Sequence, residues 1–168
     1  MSAKEIARSG LLAAAAVALL YIGGAAPYLG PAACIVAGVT SAVPLLRRAR
    51  VRTAVLLYIA AALLGALVAP RKSVVAAYAL LTGLYPIVKY GVEARLPRQV
   101  QSGVKLAYFN LVLAAAAVLV VCGLFPNVAL PGFARLAMLW LAANFGFMIY
   151  DVALSRLIAM LRRSLPPD

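Results

Sequence analysis

Apolar residues in this chain come in long unbroken runs, and the charged residues gather in short groups between them. No side chain from residue 9 to residue 46 is charged, well beyond the ~18–20 residues that cross a bilayer. Proline, glycine and charge clusters divide the chain into six apolar segments. The first runs from about Ser9 to Gly24 and ends in the turn-rich Gly23-Gly24-Ala25-Ala26-Pro27. The second, Leu29 to Leu46, stops at Arg47-Arg48-Ala49-Arg50-Val51-Arg52, and the third, Thr53 to Ala69, at Pro70-Arg71-Lys72. The fourth starts at Ser73, which suits an N-cap, and reaches Lys89. Gly103 to Phe125 forms the fifth, closed by Pro126-Asn127, and residues 132–154 the sixth. At ~1.5 Å per residue each is long enough to span alone. The runs do not alternate as barrel strands must. The pattern predicts an all-α, polytopic bundle of about six spans, forming one membrane domain over residues 1–168.

Composition supports lipid as the solvent. Hydrophobic residues make up 66% of the chain and charged ones 12%, against roughly 25% charged in soluble domains. The net charge of +12 raises the question of nucleic acid. The cations, however, sit in clusters between apolar runs, where they act as membrane anchors, so no nucleic-acid partner is expected. With the amino terminus inside, the cytoplasmic loops and ends carry Lys4, Arg8, Arg47, Arg48, Arg50, Arg52, Lys89, Arg95, Arg98, Lys105, Arg156, Arg162 and Arg163. The outer side keeps Arg71, Lys72 and Arg135. That imbalance predicts both termini in the cytoplasm and a multi-pass place in the cell membrane. A cleaved secretory signal is the competing reading of Lys4, Arg8 and the first run. The uncharged continuation into a second span argues against it. Between Tyr90 and Ser102 a helical extension should break at Pro97.

Little in the chain suggests chemistry. There is no histidine, and Cys34 and Cys122 both lie in apolar runs, so neither metal nor cofactor is expected. The carboxylates are Glu5, Glu93, Asp151 and Asp168, the first and last near the chain ends. Phosphate-binding loops, dinucleotide motifs and metal-binding aspartate clusters are missing, so no enzyme is expected. Asp151 lies near the inner end of the sixth span. It reads either as a coupling or gating carboxylate or as the partner of Lys89, Lys105 or Arg156. Lys89 and Glu93, four apart, suit an ion pair on one helix face. Pro86 in Gly83-Leu84-Tyr85-Pro86 should kink the fourth helix about one turn earlier, bordering a cavity or improving packing. Asn110 and Asn144 would bind a ligand or join helices. Tyr78, Thr82, Tyr85 and Trp140 complete the candidate ligand or interface residues, while the tyrosines as a set fit an interfacial aromatic belt. Small residues recur at four-residue spacing: Gly10, Ala14 and Ala18; Ala33, Ala37 and Ser41; Ala61 and Gly65. Such faces let helix backbones approach closely.

The six short spans, both ends inside, and the alanine-rich first helix with Gly10, Ala14 and Ala18 resemble the substrate-binding S components of energy-coupling-factor vitamin transporters. That resemblance covers the whole plan of the chain. It implies that the small-residue face of the first helix docks against a transmembrane coupling subunit working with ATPases. It also implies an outward-facing pocket, to which this sequence brings mainly Tyr78, Thr82 and Trp140; Lys89, Asn110, Asn144 and Asp151 fall in the middle or inner half. Tyr85-Pro86-Ile87-Val88-Lys89 and Tyr150-Asp151 also look like stretches of small bacterial membrane proteins. The sequence thus suggests a non-catalytic membrane scaffold or interaction subunit, with a vitamin-type transport subunit as the alternative.

Overall fold

The structure, a computed structural model, describes residues 3–26, 28–48, 50–123 and 131–164. Among them there is no strand, and the fold is all-α. The elements are α1 (Ala3–Ala25), α2 (Gly30–Arg48), α3 (Val51–Val68), α4 (Lys72–Ala77), a π-helical turn (Tyr78–Thr82), α5 (Tyr85–Arg95), α6 (Arg98–Val121) and α7 (Phe133–Ser164). Five helical stretches are long and apolar enough to cross a membrane: Ile6–Ala25, Val51–Val68, Lys72–Arg95, Arg98–Val121 and Phe133–Leu161. These are the hallmark of a multi-pass membrane protein. The apolar part of α2, Gly30–Leu45, is shorter; at ~1.5 Å per residue it covers about 24 Å of a hydrocarbon core about 30 Å thick.

The ends of the elements follow local chemistry. Ser73 lies inside α4 instead of capping it; the N-cap is Arg71, with no side-chain hydrogen bond. Lys72 does the capping in the other direction. Its ammonium donates to the carbonyls of Ala66 (2.6 Å) and Ala69 (3.1 Å), closing the C-terminal end of α3. Pro97 breaks the chain where predicted, but α6 begins directly after it, with Pro97 as an extended N-cap. The other end of α6 stops at Val121 because Gly123 takes φ +76°, and its N–H closes onto Val120 O. Phe125, Pro126 and Asn127 lie outside the described residues.

The chain divides into two compact units, Met1–Arg95 and Leu96–Asp168. In the first, a Cβ on Gly24, near the end of α1, would lie 3.0 Å from the ring of Pro70, just past the end of α3. Leu20 likewise meets Gly65. Helices α1 and α3 therefore run parallel. Gly23 faces Ala33 and Val74, at the starts of α2 and α4, so both of these begin where α1 ends. Down the unit Cys34 meets Val74 and Ser41 meets Gly83, so α2 and the α4–α5 rod descend side by side. Four rods thus alternate in direction. Their shared core is Ala16, Leu20, Cys34, Ala37, Ala61 and Tyr78. Two of the predicted small-residue faces are spent here: Ala33, Ala37, Ser41 and Ala61 are buried, as is Gly65. Narrow side chains let the backbones close in, and the aromatic ring of Tyr78 fills what remains.

In the second unit, α6 and α7 form an antiparallel pair. Lys105 meets Asp151, Phe109 meets Phe147 and Asn110 meets Asn144, a falling partner number for each rising one.

Candidate functional site

Among the described residues, polar chemistry within the spans gathers at two places, one in each unit. The first is the break in the fourth rod. Pro86 has no N–H to offer Thr82 O, four residues earlier, and the Ile87 N–H is engaged with Leu84 O at 3.1 Å. One turn upstream, where a kink was expected, the helix widens into the π-turn, with the Gly83 N–H reaching back to Tyr78 O (2.8 Å). Neighbouring helices satisfy the loosened backbone. Tyr58 Oη on α3 donates to Ala79 O (2.8 Å). On α2, Ser41 Oγ lies 2.7 Å from Gly38 O and 2.9 Å from Gly83 O, so one proton is shared between two carbonyls. Gly38 brings its bare Cα against the Thr82 carbonyl, leaving no room for a Cβ. Gly83 lies against the rings of Tyr58 and Tyr78, whose centroids are 6.0 Å apart. Tyr78 and Tyr85 are fully buried. Tyr78 Oη and Thr82 Oγ1 are buried with no hydrogen-bond partner among the described residues. Each such hydroxyl costs about 1–3 kcal/mol. Lower in the same rod, Lys89 is buried and pairs with Glu93 at 2.9 Å.

The second place is a ladder along the facing sides of α6 and α7. Asn110 Nδ2 donates to Leu106 O (2.8 Å) and to Asn144 Oδ1 (2.8 Å). Its Oδ1 accepts from Trp140 Nε1 (2.7 Å) and Asn144 Nδ2 (3.3 Å). A carboxamide has two donors and two acceptor positions, so Asn110 is saturated. Asn144 spends its other N–H on Trp140 O (2.9 Å). The next rung is the stacked pair Phe109 and Phe147, with centroids 4.3 Å apart. Beyond it Lys105 Nζ meets Asp151 Oδ2 at 3.3 Å. Of the three cations weighed for Asp151, Lys105 is thus the one in its own unit that reaches it. Cross-helix amides and ion pairs of this kind fix helix register, the amides contributing about 0.6–2 kcal/mol each.

The structure therefore brings Asn110, Trp140 and Asn144 together, sets Asp151 on Lys105 two rungs away, and clusters Tyr78, Thr82 and Tyr85 at the break. Gly10, Ala14 and Ala18 take a different position, on the exposed side of α1. Ala14 and Ala18 line an open groove with Val17, Tyr21, Ile22, Leu64 and Val68. A Cβ on Gly10 would meet nothing within 4 Å.

Gly38, Tyr58, Phe109 and Phe147 are contacts that the sequence reading did not single out. Pro86 identifies Thr82 as the carbonyl deprived of its donor, but nothing local says which helix supplies the glycine. No group of three or more His, Cys, Asp or Glu side chains able to hold a metal occurs among the described residues. No protein-family model, curated protein or solved structure matches the chain.

Proposed function

We propose that this chain is a six-span membrane protein with both termini in the cytoplasm, serving as a non-catalytic interaction subunit. The observation that carries the reading is the contrast between its polar and its small residues. The amides and ion pairs of the spans are turned onto one another, whereas Gly10, Ala14 and Ala18 face outward along an apolar groove. A saturated carboxamide has no hydrogen bond left for a ligand. A narrow, outward helix face does have something to offer in lipid: close backbone approach by another helix.

The count of six rests on geometry in the first unit. Because α1 and α3 run in the same direction side by side, α2 must carry the chain back across whatever thickness they traverse, despite its shorter apolar part. Snorkelling at its ends or local thinning of the bilayer accommodates it. The same geometry gathers Arg8, Arg52 and Arg95 at one end of the unit, in keeping with a cytoplasmic face. Tags at both termini should be shielded from a membrane-impermeant reagent in intact cells and react once the cells are opened. Labelling of only one terminus before opening would mean an odd number of crossings.

The partner is a transmembrane helix with its own small-residue face, seated in the α1–α3 groove. Ala14→Leu with Ala18→Leu fills that groove without touching the buried face of α1. The double variant should insert and melt as the parent does, while losing about ten-fold in recovery of membrane partners on affinity purification, the effect of ~1.4 kcal/mol. Equal recovery of the same partners by both proteins would remove the groove from consideration.

The same face favours a second reading, a substrate-binding subunit similar to the S components, in which the occupant is a coupling subunit with its ATPases. Thermal shift against vitamins separates the two: ligand at a hundred times Kd stabilises by about 2.7 kcal/mol. If no vitamin raises the melting temperature and no ATPase co-purifies, the transport reading fails and the scaffold reading stands.

A further inference from the structure

Lysine and arginine do different work in this chain. Every lysine whose side chain is described is bound internally: Lys72 caps α3, Lys89 pairs with Glu93, and Lys105 pairs with Asp151. Most arginines whose side chains are described lie outside, Arg50 being partly covered. Arg8, Arg52 and Arg95 are exposed, and the directions of α1, α3 and α5 bring them to the same end of the first unit. The levels agree. Leu20 of α1 meets Gly65 of α3, and stepping back along both parallel helices sets Arg8 opposite the start of α3, beside Arg52. The rod ending in Arg95 descends to the same end. Counting the α2–α3 connection, this end carries Lys4, Arg8, Arg47, Arg48, Arg50, Arg52, Lys89 and Arg95 against only Glu5 and Glu93. Glu93 is already taken by Lys89.

Anchoring a loop on the cytoplasmic side needs positive charge alone, which lysine supplies equally well. A guanidinium adds a flat fork of donors that matches two phosphate oxygens at once, and it is less strongly hydrated than an ammonium. A group of exposed arginines at one end of a membrane bundle, with its one described carboxylate occupied, has the chemistry to hold lipid phosphates that carry net negative charge. We propose that this end of the first unit is a binding surface for anionic phospholipid headgroups, held by Arg8, Arg52 and Arg95. The proposal rests on the membrane reading but not on which face is cytoplasmic. It is therefore tested in bilayers of identical leaflets, where an error of orientation has no effect.

The full chain, reconstituted in nanodiscs of equal phosphatidylglycerol and phosphatidylcholine, is released into detergent and its retained lipids are weighed by native mass spectrometry. Phosphatidylglycerol should be retained about five-fold or more over phosphatidylcholine, given roughly 1 kcal/mol per basic residue near an anionic surface. Arg8→Lys, Arg52→Lys and Arg95→Lys together preserve charge and should at least halve that preference without moving the melting temperature. Arg71→Lys, at the opposite end of the first unit, should leave it unchanged. Retention without headgroup preference overturns the proposal. So does a triple-lysine protein that binds like the parent, because charge alone would then suffice. Loss of the retained lipid to millimolar inorganic phosphate in place of chloride would also overturn it, making the site one for free anions.

Discussion

Replacing Gly38 by alanine should lower the stability of the protein by about 3 kcal/mol, the upper end for overpacking a close contact. The size follows from what the new methyl would strike. At most glycines of this chain a Cβ meets either open space or a side chain that can swing aside, as Leu20 would for Gly65. At Gly38 it meets the backbone carbonyl of Thr82, inside van der Waals contact, with the carbonyl carbon at 2.8 Å. That carbonyl has little freedom to retreat. Pro86 has deprived it of its helical donor, Tyr58 holds Ala79, and Ser41 holds Gly83, fixing the turn on both sides. Pushing α2 away would break the Ser41 contact too, in a region where no water replaces it. The measurement is the unfolding midpoint in mixed micelles titrated with a denaturing detergent. Gly146→Ala is the control, since its Cβ meets nothing within 4 Å and alanine is the better helix former by up to about 1 kcal/mol. A Gly38→Ala protein as stable as the parent would mean that Thr82 does not sit against α2.

That contact also marks the boundary of what the sequence makes legible. Features set by the chain's own near neighbours could be read directly. Uninterrupted apolar runs gave the helices, Pro97 the break between α5 and α6, Pro86 the disturbance one turn before it, and the i,i+4 spacing the pairing of Lys89 with Glu93. Ser73 went the other way. Its hydroxyl suited an N-cap, but Lys72, reaching back to Ala66 and Ala69, starts the helix sooner. The left-handed Gly123 likewise ends α6 earlier than the apolar pattern does, because hydropathy carries no information about φ. Long-range pairing was open in the sequence. Three stripes of small residues look alike on paper, yet two are buried in the first unit and one is exposed. The difference lies in which larger side chains share each helix. On α1 the buried positions are Ala13, Ala16, Leu20, Gly23 and Gly24, a face rotated away from Gly10, Ala14 and Ala18. For Asn110 the alternatives of ligand and helix joint were chemically equal until its four hydrogen bonds were counted.

Asp151→Leu should destabilise the protein by about 2–3 kcal/mol, and adding Lys105→Met should restore most of the loss. Removing one member of a buried pair strands the other charge, at a cost of about 3–5 kcal/mol. Here the lower value applies because Asp151 keeps 23% of its side chain exposed and part of the field is screened. Lys105, at 8%, is the more buried member and loses this contact. Its flexible stem can carry the ammonium some way toward the interface, which further limits the penalty. Methionine opposite leucine would replace the pair by apolar contact beside the Phe109–Phe147 stack, and such exchanges are often neutral or better. A double variant within about 1 kcal/mol of the parent is therefore expected, giving a coupling of the same order as the single loss. The cycle also separates the two roles weighed for Asp151. A register pin is dispensable once packing replaces it, so the stable double variant should still capture the partners recovered by the parent. A coupling carboxylate is not dispensable: restored stability with lost capture would assign Asp151 a role beyond holding α6 to α7. A double variant no more stable than Asp151→Leu would mean that Lys105 is not the charge this carboxylate serves.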